Sequence, residues 1–104
     1  MIRHGEFKTP GGKLIAVEFD ASDGTLRNVV VTGDFFLYPE EALDRLSGSL
    51  EGAPATLTGP GYAARISAGL SGDVELLGSS AEALANAVVR ALHDPDTRDA
   101  AGGR

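Results

Sequence analysis

No cysteine occurs among the 104 residues. Disulfides, thiolate nucleophiles, zinc–thiolate sites and iron–sulfur ligation are therefore all excluded. Histidine is scarce as well: His4 and His93 lie at opposite ends of the chain, and neither has a second histidine within ligand spacing. A metal site or a Ser-His-Asp triad has no support from such a pattern. Apolar runs are short, and none approaches the ~20 residues that span a bilayer. The opening Met1-Ile2-Arg3-His4-Gly5-Glu6-Phe7 lacks the apolar stretch of a secretory signal. These absences predict a soluble, cytoplasmic protein with no membrane partner. Positive charge is also short, with nine Lys and Arg against fifteen Asp and Glu and a formal net charge of −6. That balance repels a phosphate backbone, so nucleic acid is not an expected partner.

What is present fits one small domain with a modest core. Fourteen glycines and a hydrophobic content of 42% predict ordered elements joined by glycine-rich loops. Residues 1–12 offer only Ile2 and Phe7 to pack and finish in Pro10-Gly11-Gly12, which reads as a flexible N-terminal arm ending in a turn. Lys13 to Phe19 alternates as a strand, with Ile15, Val17 and Phe19 on the more apolar face. Ser22-Asp23-Gly24 is a hairpin-type turn. Leu26 to Thr32 returns as a strand that is apolar on both faces, which predicts a central position or cover on both sides. Phe35 to Tyr38 can add a short third strand.

Pro39 fits a first helical turn, followed by Glu40 and Glu41 at the positive end of the helix dipole. Leu43, Leu46 and Leu50 then recur at helical spacing, and Gly52 and Pro54 end the element. Tyr62 to Leu70 reads as a second helix, with Tyr62, Ile66 and Leu70 on one stripe. Val74 to Leu77 reads as a short extended segment or a buried linker. Ser79 and Glu82 match a capping box before a third helix that runs to about Leu92, with Ala81, Leu84, Ala85, Val88 and Leu92 facing inward. Residues 94–104 lack large apolar groups and read as a disordered tail. The predicted class is α+β: a small antiparallel sheet of two to three strands with about three helices on one face.

Two short stretches stand out chemically. In Gly11-Gly12-Lys13, a glycine pair that exposes backbone N–H groups precedes a cation. A P-loop is excluded, because Phe7 and Leu14 occupy the positions where that motif needs Gly and Ser or Thr. The turn could still meet an anion, or it could be a plain hairpin connection with a solvated lysine. In Thr32-Gly33-Asp34-Phe35-Phe36-Leu37, Gly33 can take positive φ, Asp34 can fix the bend, and the two phenylalanines flank the expected core. A structural strand-to-helix corner and an exposed functional loop both fit those residue types. Asp34 is the one acid beside large apolar groups, which makes it the candidate for a shifted pKa. Glu40, Glu41, Asp44 and Glu51 read as a solvated helix face. No catalytic residue is assigned.

Lys8-Thr9-Pro10-Gly11-Gly12-Lys13-Leu14, Asp23-Gly24, the Gly33-Asp34-Phe35-Phe36 corner and Leu50-Glu51-Gly52 together resemble the C-terminal accessory domain of lipoate–protein ligases, as found in the free-standing small subunit of split enzymes. The resemblance covers about residues 8 to 93 and assigns 13–93 to that domain. It implies a fold similar to the small SufE/NifU-like fold of sulfur-acceptor and iron–sulfur scaffold proteins. It also implies an accessory role in ATP-dependent adenylation of lipoate or octanoate, for lipoylation of lipoyl-domain proteins. The catalytic lysine would belong to a separate catalytic subunit, the expected heterodimer partner. That subunit would hold ATP, Mg2+ and lipoate, and this chain alone would bind no cofactor. Gly11, Gly12, Lys13, Gly33, Asp34, Phe35 and Phe36 are the residues expected to face substrate or partner. The competing reading is a non-catalytic binding module that interacts with lipoyl-domain proteins. A sulfur-acceptor role lacks its thiolates, and an independent enzyme built on Asp34 lacks a second catalytic group.

Overall fold

The computed structural model describes residues 2–9, 11, 13–72 and 74–93. The predicted tail at 94–104 lies outside them. Three strands, Ile2–Lys8 (β1), Leu14–Asp20 (β2) and Arg27–Gly33 (β3), form an antiparallel sheet in the order β1-β2-β3. Phe36–Tyr38 (β4) and Glu75–Leu77 (β5) make a separate two-stranded ribbon. Three helices, Ala42–Leu50 (α1), Gly59–Gly69 (α2) and Ala81–His93 (α3), complete the α+β fold. α3 covers β1 and β2, α1 lies against β3, and α2 packs between the other two helices.

The predicted hairpin is present. Ile15, Val17 and Phe19 of β2 and Val29 and Val31 of β3 are buried against the helices. In the turn, Gly24 has φ +84°, and the Asp23 carboxylate accepts from the Thr25 backbone N–H and hydroxyl. Those bonds hold the Asp23 carboxyl below the usual range. β3 does not take the central position, however, because β1 adds to the other side of β2 and leaves β3 at an edge. Its Val30 alternates with the buried Val29 and Val31, points to the face that the helices do not cover, and is exposed.

Residues 2–8 are the main correction, since they form a strand in full register with β2, from Ile2 opposite Asp20 to Lys8 opposite Leu14. Few large apolar side chains hold this strand, and Gly5 supplies what they do not. A Cβ there would collide with the Ala87 carbonyl oxygen and lie 2.5 Å from the Ala91 amide nitrogen. Without that Cβ the helix lies directly on the strand. Arg3 donates to the Leu92 carbonyl oxygen at 3.1 Å, and Arg90 donates to the Glu6 carbonyl oxygen at 3.3 Å. The Arg90 guanidinium also stands 5.3 Å from the centre of the Phe7 ring.

α1 begins at Ala42 rather than at Pro39, because residues 39–41 form a turn in which the Pro39 carbonyl accepts from the Ala42 N–H at 2.9 Å. The buried stripe is accordingly Ala42, Leu46 and Leu50, and Leu43 is displaced to the exposed flank. α2 starts earlier than predicted, with Pro60 in its first turn. Its Tyr62 is buried, and the phenol donates to the Pro54 carbonyl oxygen at 2.6 Å. α3 is capped by Ser80 rather than Ser79: the Ser80 hydroxyl accepts from the Ala83 N–H at 3.1 Å. Leu84, Ala85 and Val88 face inward as predicted. Ala83, Ala87 and Ala91 join them, and Ala81 and Leu92 are only half-buried.

Gly5→Ala is expected to destabilise the fold by ~3 kcal/mol, the upper range for forcing atoms into a packed interior. Gly48→Ala is the contrast, because no heavy atom lies within 4 Å of that added Cβ. It should stabilise α1 by ~0.5–1 kcal/mol. Urea midpoints of the two variants check both signs. Burial raises the Tyr62 phenol above its ordinary 10.0. The folded state therefore favours the protonated phenol, and the stability this brings is present below the unfolded value and lost as pH rises through the folded one. Urea midpoints measured from pH 9 upward should fall, and Tyr62→Phe should flatten the decline.

Candidate functional site

The two stretches singled out in the sequence meet at one end of the sheet. Lys8 pairs with Leu14 and Ile15 pairs with Gly33, so the β1–β2 turn and the corner after β3 are neighbours around the start of β2. The Asp34 N–H donates to the Leu14 carbonyl oxygen at 2.8 Å. The Leu14 N–H reaches back to Asp34 Oδ2 at 3.5 Å, a long contact. Leu14 follows Lys13 directly, so this exchange ties the lysine turn to the corner.

Lys13 is exposed, and its backbone is fixed across the turn. Its N–H donates to Thr9 Oγ1 at 3.1 Å, and its carbonyl accepts from the Thr9 N–H at 2.8 Å. Gly11 is exposed with open space around it. Gly12 lies outside the described residues. At Gly33, φ is +152°, and an added Cβ would stand 2.6 Å from the Leu14 carbonyl oxygen and 2.8 Å from Ile15 Cα. The position requires glycine for its conformation and for its close approach to β2. Gly78, with φ +90°, backs the same corner, since its Cβ would lie 3.1 Å from the Asp34 carbonyl oxygen. The sequence reading missed Gly78, although a glycine closing a short extended run was the available signal.

Two expectations about the corner need correction. The phenylalanines do not both flank the core: Phe35 packs partly against it, and Phe36 points outward into solvent. Asp34 is exposed rather than set among apolar groups, and its carboxylate faces the backbone of β2. Beside the corner, Phe35, Leu37, Glu40 and Leu43 line an open groove of about 330 Å³. The groups gathered here are a cation, a carboxylate, a bare backbone and an exposed ring, which suit binding and docking.

Glu51 does not belong to a solvated helix face. Its carboxylate accepts from the Asn28 N–H at 2.8 Å and the Val29 N–H at 3.0 Å, where Asn28 takes φ +57°. The end of α1 is thereby fastened to the start of β3. His4 sits on the open face of the sheet between two acids, with Nε2 2.9 Å from Glu6 and Nδ1 3.1 Å from Glu18. The ring thus bridges Glu6 of β1 and Glu18 of β2 across the sheet. Among the described residues no cluster of three His, Cys, Asp or Glu could hold a metal ion, and no helix is long and apolar enough to cross a membrane.

A search of solved structures finds a chain from an archaeal lipoylation system, described as a bipartite lipoate protein ligase and its E2 lipoyl domain from Thermoplasma acidophilum. The two chains superpose with a TM-score of 0.69 at 24% identity, over 85% of this chain and 94% of that one. No family model matches the chain, and no curated protein matches it. At this identity the likeness establishes a fold shared with a chain of that system, and the α+β class expected from the sequence is the one observed.

Proposed function

We propose that this chain is the accessory subunit of a split lipoate–protein ligase. It supports adenylation of lipoate or octanoate by a separate catalytic subunit, and the activated acyl group then passes to a lysine of a lipoyl-domain protein. The observation that carries this reading is the fold likeness to a chain of a bipartite lipoate ligase system. The meeting of the Gly-Gly-Lys turn with the Gly-Asp-Phe-Phe corner supports it.

In adenylation a carboxylate oxygen attacks the α-phosphorus of ATP, a C–O–P linkage forms, and pyrophosphate leaves with the electrons of the broken P–O bond. ATP, Mg2+ and the acid belong to the catalytic subunit in this reading. This chain contributes position and charge. The exposed ammonium of Lys13 offsets phosphate charge at the mouth of the partner's pocket. The bare backbone at Gly33 permits close approach. Docking closes the pocket, excludes water and holds carboxylate and phosphorus in line, a class of effect that contributes several kcal/mol to such steps.

Lipoate-dependent exchange of pyrophosphate into ATP, measured with the purified catalytic subunit from the same organism, tests the reading. Exchange should require both chains. Lys13→Ala should slow it about tenfold, equivalent to ~1.4 kcal/mol of transition-state stabilisation, and should spare transfer from premade lipoyl-AMP. Full activity from either chain alone, or equal loss in both half-reactions, overturns it. Binding to a lipoyl domain with no effect on exchange would identify a non-catalytic binding module instead.

A further inference from the structure

The β4–β5 ribbon shows solvent a face that soluble surfaces seldom leave open. Phe36 stands opposite Leu77 and Tyr38 opposite Glu75, so these four side chains share one side of the ribbon. Phe36 is 77% exposed, Tyr38 69% and Leu77 55%. Leu37 and Leu76 alternate to the other side and pack against the core, which holds the ribbon in place. Three large apolar side chains gathered on so small an element mark an interaction surface.

Charge narrows the occupant. Asp34, Glu40 and Glu75 are exposed around this face, and neither β4, β5 nor the turn at 39–41 contains a lysine or arginine. A second copy would bring acid against acid. The chain's own residues 94–104 carry no large apolar side chain that could cover the rings. The occupant that fits is a protein surface with an apolar centre and a Lys or Arg rim.

We infer that the outer face of the β4–β5 ribbon is where the catalytic ligase subunit docks; this rests on the function proposed above. The face lies beyond the corner, and it brings Tyr38, Leu77, Glu75 and Glu40 into an interface that the sequence motifs did not include.

The test titrates the full chain into the purified catalytic subunit from the same organism, with calorimetry reporting the dissociation constant and pyrophosphate exchange followed in parallel. Phe36→Ser with Leu77→Ser should weaken binding at least about tenfold. Glu40→Lys with Glu75→Lys should weaken it and flatten its salt dependence. Val30→Ser, which removes an exposed apolar side chain from the open face of the main sheet, should change nothing. Hydrogen exchange on the unsubstituted pair is a second readout that needs no variant, and protection should appear at 36–38 and 75–77. Unchanged affinity in both ribbon variants, or protection elsewhere, overturns the docking face and leaves the proposed function standing. No binding and no stimulated exchange by the unsubstituted chain overturns the function, and this inference with it. Self-association of the chain that the ribbon variants abolish would assign the face to a second copy and overturn the inference on its own.

Discussion

At Gly5 the backbone of β1 meets the backbone of α3 with no room for a methyl group. That contact seats the helix directly on the sheet, and much of the fold follows from it. It lets a strand with little hydrophobic material of its own become the outer strand of the sheet. It places the Ala83, Ala87 and Ala91 side of α3 on the sheet, where small side chains keep the helix axis low. It also joins the beginning of the described chain to its end, with Arg3 and Arg90 completing the seam through backbone carbonyls. β2 then becomes the central strand.

The β2–β3 hairpin was legible because its side chains alternate and its turn carries Asp23-Gly24, two local signals that agree. The three helices were legible from their apolar spacing. β1 was not, because its reason for being a strand lies in a helix more than eighty residues away. The same glycine that reads locally as a loop residue is, in the fold, a site of close approach. The position of β3 was misread for a different cause: apolar residues on both faces suggest burial, but helices cover only the Val29 and Val31 face and Val30 stays exposed, while β1 pairs with the far edge of β2 and leaves β3 at the edge. The cap of α3 slipped by one residue because Ser79 and Ser80 both fit the local pattern, and the backbone path selects between them.

The candidate site divides along the same line. Gly33 was recognisable as a bend from its type and setting, and the structure adds the reason no other residue serves: the carbonyl of Leu14 lies where a side chain would begin. That Leu14 also exchanges hydrogen bonds with Asp34 was not readable, because it depends on the register of β2 with β3. Phe35 and Phe36 are adjacent in sequence, yet the pleat sends one inward and one outward. Glu51 shows the reverse error. Its place at the end of an acidic helix suggested solvent, and its partners are two amides on a strand twenty-three and twenty-two residues earlier.

One step links the lysine turn to the ribbon. Phe36 is three residues from Gly33, and Asp34, between them, is held to Leu14, the neighbour of Lys13. The path from the exposed rings of β4 to the Lys13 backbone therefore runs through Phe35, Asp34 and one backbone hydrogen bond, with Gly33 fixing the bend next to Asp34 and Gly78 bracing the corner from behind. A short path through fixed backbone transmits position with little loss. A protein seated on the ribbon would meet Lys13 at a distance and angle set by this chain rather than by the flexibility of a loop. Under the proposed function this is the physical case for placing docking and charge on adjoining elements: the surface proposed for docking would also aim the cation, and an accessory subunit would influence a reaction whose reacting groups it does not carry.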